Sequence, residues 1–480
     1  MRPATTSTSI RDKGSTCVAA NARFGRGFSR HSDKVKLPGL REPAASLVCF
    51  PPGTYRINPG TGEELNMATT SMAANGAARQ SAGYQMMLVG LLALNFGIVF
   101  FDRNSLNFLM PFVQPELGLS NTQVGVLASV LSGTWSVAAL LMGWLSDTLG
   151  KRKVLLVAST LLFSACSFLT GIAGTFVMLI AARALMGVAE GGVMPISHAL
   201  IADEVDPERR GLAQGVGQNF GSNLLGSFVA PVALVAFATW FGWRHAFFLA
   251  GAPGLISALL ILWLVKEPKL TPKKAQRASG PRYTAMDGLK ERNVLLCVLL
   301  SVLLVAYLVT CWAFMPLYLD QVLHVSKDTN GWLMGTLGIS ATLGSFAVPG
   351  LSDRIGRRPV MIAAPFISIL LPLGVLYFGA ASLPLLFVIF FVGWCVNGIF
   401  PLFMATVPSE SVAPTNAALV MGLSMGAGEA LGGVFGPMIS GWVADAHGLT
   451  APLWIMTGLA FVSGFIAMGL RETAPSKRRG

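Results

Sequence analysis

Charged residues are scarce in this sequence. Only 12% of the 480 residues are Asp, Glu, Lys or Arg, whereas 53% are hydrophobic and the mean hydropathy is +0.61. An average soluble domain contains about 25% charged residues. The composition therefore excludes an ordinary soluble protein and indicates a chain that lies largely in lipid.

Cysteine and histidine are also few, at six and five residues. The cysteines show no Cys-x-x-Cys or Cys/His spacing, and four of the six lie inside apolar runs. We therefore predict no disulfide framework, no metal site and no cofactor. The sequence also lacks a phosphate-binding loop and the nucleophile arrangement of an enzyme, which argues against an enzyme or a membrane sensor.

The first 80 residues lack an apolar run long enough to cross a membrane. Arginine, serine, glycine and proline are scattered through them, without the continuous apolar region of a secretory signal. We interpret residues 1–80 as a disordered cytoplasmic tail, or as upstream sequence that precedes a true start at Met67 or Met72.

Long uncharged runs dominate the remainder. Residues 81–101 contain no charged residue, and at about 1.5 Å per residue such a helix crosses a hydrocarbon core of roughly 30 Å. Backbone groups in lipid must be satisfied within each segment, so these runs are predicted to be helices. The same criterion gives twelve, near residues 84–112, 122–146, 153–172, 175–202, 212–238, 246–265, 293–318, 329–352, 359–378, 383–408, 414–443 and 450–470.

Basic residues lie mainly in loops that follow even-numbered segments, including 151–153, 209–210, 266–277 and 354–358. Since Lys and Arg accumulate in cytoplasmic loops, we predict a protein of the cell inner membrane with both termini in the cytoplasm. The net charge of +12 then requires no nucleic acid. The predicted parts are a helical bundle at 81–265, a cytoplasmic loop at 266–292, a second bundle at 293–472 and a tail at 473–480.

One loop motif occurs in each half. Asp147-x-x-Gly-Lys-Arg joins the second and third segments, and Asp353-x-x-Gly-Arg-Arg joins the eighth and ninth. Such paired repeats are typical of transporters built from two bundles. A carboxylate beside a basic cluster can pair across the bundles and hold one conformation, although the loop could also serve only to anchor the topology. The predicted gating residues are Asp147, Lys151, Arg152, Asp353, Arg354 and Arg357.

Four ionisable residues lie at membrane depth in the first half. Asp102 and Arg103 are on the first segment, and Arg183 and Glu190 share one face of the fourth because they are two turns apart. Ionisable groups in a membrane are costly and therefore indicate function, with a structural ion-pair network as the alternative. The planar fork of arginine suits a carboxylate, and a buried carboxylate beside an arginine can gain and lose a proton. We predict that Arg103 and Arg183 bind an organic anion and that Asp102 and Glu190 carry protons.

The loop motif D-x-x-G-[KR]-R in both halves resembles the signature of the major facilitator superfamily, over residues 84–472. Three further features resemble its anion:cation symporter family: Phe101-Asp102-Arg103, Arg183-x-x-x-Gly-x-x-Glu190 and the pair Gly242-Trp-Arg and Lys266-Glu-Pro around the sixth segment. The resemblance implies an all-α membrane protein with twelve transmembrane helices in two pseudo-symmetric six-helix bundles. It also implies symport of protons with an anion such as a hexuronate, aldonate, aldarate or aromatic carboxylate, by alternating access. An efflux antiporter or a facilitator of the same fold is the alternative.

Five further residues are predicted to complete the site. Gln218 is a candidate by analogy with polar fifth-helix residues of sugar-acid carriers, and Tyr307, Trp394 and Asn397 are candidates in the second half; packing between helices is the alternative for all four. Glu429 stands where the family commonly has asparagine. It is either a third protonation site, a partner for a cationic group on the cargo, or a protonated packing residue. We expect the protein to function as a monomer in the lipid bilayer.

Overall fold

A computed structural model describes residues 11–12, 15–19, 47–49 and 81–480, apart from 207–208, 218–220, 269–282, 380–381, 475–476 and 478–480. Near the N-terminus three short strands, Arg11–Asp12 (β1), Ser15–Ala19 (β2) and Leu47–Cys49 (β3), pair antiparallel in the order β1-β2-β3. The rest of residues 1–80 lies outside the described residues, so the interpretation of this stretch stays a prediction.

The described residues contain twelve helices that are long and apolar enough to cross a membrane, which confirms the predicted helical membrane fold. We call them spans one to twelve. Their bounds are Ala82–Leu117, Asn121–Ser146, Arg152–Gly171, Phe176–Glu204, Ser222–Phe241, Trp243–Leu264, Arg292–Gln321, Lys327–Ile355, Arg357–Phe378, Leu383–Glu410, Ala417–His447 and Thr450–Met468. Two short helices outside them, Arg210–Gly215 and Ala285–Lys290, lie before span five and before span seven.

Span one is longer than the sequence predicted. It continues through Pro111 and Pro115 to Leu117, five residues beyond the predicted end, because membrane helices tolerate proline when neighbouring groups satisfy the freed backbone. Gly118 ends it in a left-handed conformation with φ of 62°, which glycine adopts without steric cost. Ser120 then begins the next helix, which runs over Asn121–Leu149, with a capping box to Gln123.

Several spans are interrupted near their middle. Span four consists of Phe176–Gly191 and Val193–Glu204, and span nine of Arg357–Ser368 and Leu370–Phe378. Span five has a π-helical segment at Ser222–Val229 before the α-helix Ala230–Phe241. Span ten begins with the α-helix Leu383–Trp394, continues through a 3₁₀ turn at Cys395–Ile399 and a π segment at Leu402–Thr406, and ends in the α-helix Val407–Glu410. Span eleven has a π segment at Gly428–Gly432 between the α-helices Ala417–Ala427 and Gly433–His447. Such π segments often occur at functional sites.

The ends of the spans define two faces of the molecule. The basic face is the end that carries the loop motifs, around residues 150–152 and 356–358, and the opposite face carries the turns at 118–120 and 322–326. The two six-helix bundles, spans one to six and spans seven to twelve, pack closely near the opposite face. There, a Cβ on Gly125 of span two would lie 2.2 Å from the carbonyl oxygen of Pro437 in span eleven. Spans five and eight meet as closely, since a Cβ on Gly338 would lie 2.3 Å from the carbonyl carbon of Ser227.

Hydrogen bonds join the bundles at the same end. Ser129 in span two donates to the carbonyl oxygen of Val434 in span eleven at 2.6 Å. The carboxylate of Asp445 accepts the backbone N–H groups of Asn121 and Thr122 at 2.8 and 2.9 Å, and so caps span two from the other bundle. The opposite face is therefore closed in this structure.

Candidate functional site

A cavity of about 460 Å³ lies between the bundles and extends toward the basic face, where Gln214, Met404 and Met421 line it. Its volume suits a small-molecule ligand. The two walls differ in polarity, because the second bundle contributes mainly Val, Leu, Met, Phe and Trp side chains. The polar lining residues are Arg103, Asn104, Asn107, Ser132, Arg183, His198, Gln214, Ser222, Asn223 and Ser227 from the first bundle and Ser345, Asn397 and Glu429 from the second.

Arg103 of span one lies at the centre of the charged groups. Its Nη1 is 3.6 Å from Oε2 of Glu190 in span four, and its Nη2 is 3.7 Å from Oε2 of Glu429 in span eleven. The guanidinium carbon also lies 5.3 Å from the ring centroid of Trp135 and 5.7 Å from that of Phe100, within the range of a cation–π contact. Both ion pairs are longer than the roughly 2.7–2.9 Å of a charge-assisted hydrogen bond. The Arg103 side chain is thus held by charge and by aromatic faces, and its N–H groups remain able to bind a ligand.

Arg183 of span four is only 2% exposed yet lies at the cavity wall. Its Nη1 donates to the carbonyl oxygen of Arg103 at 3.2 Å, and its guanidinium carbon lies 5.9 Å from the ring centroid of Phe247. Its Nε and Nη2 have no hydrogen-bond partner among the described residues. Buried donors without acceptors are costly, so this guanidinium is suited to an anion that enters the cavity.

The proton carriers predicted in spans one and four, Asp102 and Glu190, lie behind the arginines and not at the cavity surface, whereas Glu429 lines the cavity. Asp102 is fully buried, and its Oδ1 accepts a hydrogen bond from Ser167 in span three at 2.6 Å. Glu190 is 1% exposed, and neither of its carboxylate oxygens has a hydrogen-bond partner within the described part of the chain. Both carboxylates act electrostatically on Arg183. The four ionisable residues predicted from spans one and four therefore form one cluster.

Two of the residues predicted in the second half do not reach the cavity. The hydroxyl of Tyr307 donates to the carbonyl oxygen of Ser368 at 2.9 Å, and its ring stacks on Trp394 with centroids 6.0 Å apart. Trp394 is 1% exposed and packs edge-on against Trp312. Trp312 and Asn397 line the cavity, so Tyr307 and Trp394 form a layer behind its wall in this structure, and their contact with a ligand stays a prediction. Gln218 lies outside the described residues.

The first gating loop binds within its own bundle. Arg152 donates to the carbonyl oxygen of Ala199 at 2.7 Å and forms an ion pair with Asp203, both in span four. Lys151 is exposed just before span three. The side chain of Asp147 lies outside the part that the structure describes.

The second gating loop is also tied to its own bundle. Arg357 forms ion pairs with Asp353 at 2.5 Å and with Glu410 at 3.1 Å, and it donates to Ser352 at 2.6 Å. Arg354 is exposed in the last turn of span eight. With the basic face open, the predicted pairing of these residues across the bundles stays a prediction for the state in which this face is closed.

A second repeat accompanies these loops and was missed in the sequence. Glu267, just after span six, accepts the backbone N–H of Lys153 at 3.0 Å, and Glu472, just after span twelve, accepts those of Arg357 and Arg358 at 2.8 and 3.1 Å. Each carboxylate thus binds the first turn of the third helix of its bundle. Partial burial raises the pKa of Glu472, but the backbone N–H groups of Ala474, Arg357, Arg358 and Thr473 lower it, and the net shift of the pKa is downward.

Replacement of Glu472 by glutamine is expected to destabilise the protein by about 1 kcal/mol, as for other lost helix caps. Because the pKa of Glu472 is lowered in the folded state, its contribution is present at neutral pH and is lost as the pH falls through that lowered pKa. Thermal unfolding in detergent at several pH values measures this. Glu291→Gln is the control, since Glu291 is exposed and its side chain makes no capping bond to span seven; an equal loss in both variants would contradict the capping role.

Trp135 and Asn107 are lining residues that the sequence analysis also missed. Trp135 packs on Arg103, whereas Trp144, nine residues later in span two, is 66% exposed. No sequence signal separates these two tryptophans, because the side that each presents depends on how the bundles pack.

Comparison with known proteins agrees with this architecture. The sequence matches the family described as the Major Facilitator Superfamily over residues 92–314 and 298–480. It is 28% identical to a probable sulfoacetate transporter of Cupriavidus necator over 285 aligned residues. This alignment covers 57% of this chain and 66% of that protein. It is 29% identical over 279 residues to a hexuronate transporter of Bacillus subtilis, which covers 55% of this chain and 65% of that protein. The chain thus spans just under two thirds of the length of these two relatives.

Other similarities reach further along the chain. A multidrug resistance protein, MdtG, of Proteus mirabilis is 26% identical over 371 residues, which covers 74% of this chain and 89% of that protein. The crystal structure of the nucleoside transporter NupG superposes with a TM-score of 0.64 at 18% identity, over 79% of this chain and 97% of that one. The fold, the paired loop motifs and the extent of the family match together show that this chain is a multi-pass membrane protein that belongs to the Major Facilitator Superfamily.

Proposed function

We propose that this protein imports a small organic anion together with protons by alternating access. In this proposal it acts as a monomer in the cell inner membrane, with the basic face and both termini in the cytoplasm. The observation that carries the proposal is the pair of arginines at the cavity wall, backed by buried carboxylates: Arg103 contacts Glu190, and Arg183 keeps two buried donors without partners among the described residues.

The arginines determine the charge of the cargo. A guanidinium remains protonated when it is buried, so Arg103 and Arg183 place permanent positive charge at the cavity wall. A carboxylate or sulfonate that reaches Nη2 of Arg183 supplies the missing acceptor and lies close to Arg103, whose carbonyl oxygen Arg183 already binds. Asn107, Asn223 and Asn397 line the same cavity and can bind hydroxyl groups of the cargo.

The buried carboxylates supply the coupling to protons. Ionised Glu190 competes with an incoming anion for Arg103, since both bind the same guanidinium. Protonation of Glu190 removes this competition and frees Arg103 for the cargo, and Asp102 acts on Arg183 in the same way. Protons and anion therefore each favour the binding of the other, which is the differential interaction that coupling requires.

The names of two relatives support the proposed class of cargo. Sulfoacetate and hexuronates are small organic anions with at least one carboxylate, and the relatives named for them share 28% and 29% identity with this chain. Both compounds fit a cavity of about 460 Å³.

Uptake into proteoliposomes tests the proposal. Hexuronates, aldonates, aldarates, aromatic carboxylates and sulfoacetate are offered singly, with and without an inward proton gradient. We expect accumulation of one of these classes that depends on the gradient. The result that would contradict proton symport is cargo that reaches equal concentrations on both sides whether or not the gradient is present. Exchange of labelled for unlabelled cargo must show in the same vesicles that the protein is active, and the vesicles must be shown to be sealed.

A second candidate is efflux of lipophilic compounds in exchange for protons. It is favoured by the methionine-rich wall of the second bundle, with Met404, Met421 and Met425, and by the similarity to the multidrug resistance protein. Buried arginines repel the lipophilic cations that such transporters often carry. Proton-driven efflux of amphiphilic cations, with no uptake of any organic acid in the panel, would favour this candidate.

A further inference from the structure

One ion pair of the cavity joins the two bundles. Arg103 belongs to span one of the first bundle and Glu429 to span eleven of the second, and their side chains meet at 3.7 Å. Glu190, the other carboxylate on Arg103, comes from the same bundle as the arginine. Of these two contacts, the one to Glu429 therefore changes when the bundles move against each other.

The backbone holds Glu429 in place. It lies in the π segment Gly428–Gly432, which packs tightly on span seven: a Cβ on Gly428 would lie 2.3 Å from Oγ of Ser301, and one on Gly432 would lie 2.2 Å from the carbonyl oxygen of Val302. Its Oε2 is buried and has no hydrogen-bond partner among the described residues. The carboxylate is thus presented to Arg103 from a closely packed wall and is bound there by charge.

A symporter must reorient in two forms, loaded with cargo and empty. In the loaded form the cargo contacts both walls and draws the bundles together. In the empty form Glu190 pairs with Nη1 of Arg103, whereas Nη2 faces the second wall, which offers mainly apolar side chains apart from Glu429. Without an acceptor from that wall, the Nη2 side of the guanidinium resists closure, because burial of a charged donor that lacks a partner is costly.

We propose that Glu429 takes the place of the cargo anion on Arg103 in the empty carrier, and that this contact permits the empty carrier to return. This inference rests on the proposed symport. When cargo binds, its carboxylate displaces Glu429 from Arg103, and the displaced carboxylate takes a proton from the solvent in the open cavity. When cargo and proton leave, the ion pair with Glu429 forms again.

Transport assays separate the return of the empty carrier from the movement of the loaded one. In Glu429→Gln we expect net uptake to fall by roughly ten-fold or more, as for loss of a typical coupling between sites. Exchange of labelled for unlabelled cargo should stay near the wild-type rate, and the apparent affinity for cargo should rise because a competitor for Arg103 is gone. Glu116→Gln is the matched control, since Glu116 pairs with Arg244 of its own bundle outside the cavity. Equal loss of exchange and net uptake in Glu429→Gln would overturn the inference.

A conformational measurement does not depend on any cargo. Spin labels at Thr148→Cys and Ala413→Cys, both exposed on the basic face but in different bundles, report closure of that face in protein whose native cysteines are replaced by alanine. Without cargo, the labelled protein that keeps Glu429 should show a population with a short distance between the two labels. This population should be lost in Glu429→Gln, retained in Glu116→Gln and smaller than in the parent protein, but present, in Glu429→Asp. A distance distribution that is unchanged in Glu429→Gln would overturn the inference, even if none of the tested anions is transported. Loss of the short-distance population would support the inference, even if the proposed class of cargo proves wrong.

Discussion

Replacement of Arg183 by alanine should abolish measurable binding of the cargo anion. The guanidinium is buried, binds the backbone of Arg103 and, among the described residues, keeps two donors free for an anion. Loss of one partner from a buried charged pair costs about 2–5 kcal/mol, which is at least about 30-fold in affinity. Isothermal titration in detergent, with the anion that the uptake panel identifies, measures this directly.

Two controls separate recognition of the anion from stability. Arg244→Ala removes an arginine that is partly exposed and pairs with Glu116 away from the cavity, so its affinity for cargo should match the wild type. Arg183→Lys keeps the charge without the planar fork and should bind with intermediate affinity. Unchanged affinity in a folded Arg183→Ala variant would show that this residue only holds spans one and four together.

Replacement of Glu190 by glutamine should abolish accumulation driven by a proton gradient while downhill uptake continues. The amide cannot release a proton, and it no longer competes as an anion for Arg103, from which Glu190 lies 3.6 Å away. A gradient of one pH unit supplies about 1.4 kcal/mol per coupled proton, or about ten-fold accumulation. Uptake under clamped membrane potential should therefore level off at equal concentrations on both sides of the membrane.

The same experiment distinguishes Glu190 from Glu429. Glu190→Gln should move cargo down its gradient at a substantial rate and leave the distances between labels on the basic face unchanged. Glu429→Gln should slow all net movement and alter those distances. Glu116→Gln should behave as wild type in both assays. Accumulation by Glu190→Gln at the wild-type level would exclude Glu190 as a proton carrier.

The sequence predicted the fold well because lipid leaves few choices. An uncharged run of some twenty residues in a membrane must be a helix, and the paired loop motifs identified two related halves. The cluster of Arg103, Arg183 and Glu190 also followed from the sequence, because residues seven apart on a helix share a face and the cost of burying charge favours function. Helix ends were less predictable: span one continues through two prolines that stop most soluble helices.

Contacts between distant spans escaped the sequence analysis. Nothing in the chain near Glu429 indicates Arg103 as its partner, since their meeting depends on how the bundles pack. The same holds for Tyr307, whose hydroxyl turns to the backbone of Ser368 and away from the cavity. The carboxylates Glu267 and Glu472 repeat a role in both halves, but each stands in a motif of two or three residues, too short to be recognised as a repeat.

Side chains such as Ser129 and Asp445 bind across the closed opposite face, but the tightest contacts between the bundles are made by backbone. Gly125 meets the carbonyl of Pro437, and Gly338 meets the backbone of Ser227, with no side chain between them. These glycines do not belong to the cavity lining, whose residues lie on neighbouring positions of the same spans. Because these contacts use backbone atoms, lining side chains that select the cargo can be exchanged while the glycine contacts that close the bundles are kept. The same closing contacts can in this way serve carriers of chemically different compounds. A cavity can therefore be redesigned for a new anion without changes to the glycine contacts that close the opposite face.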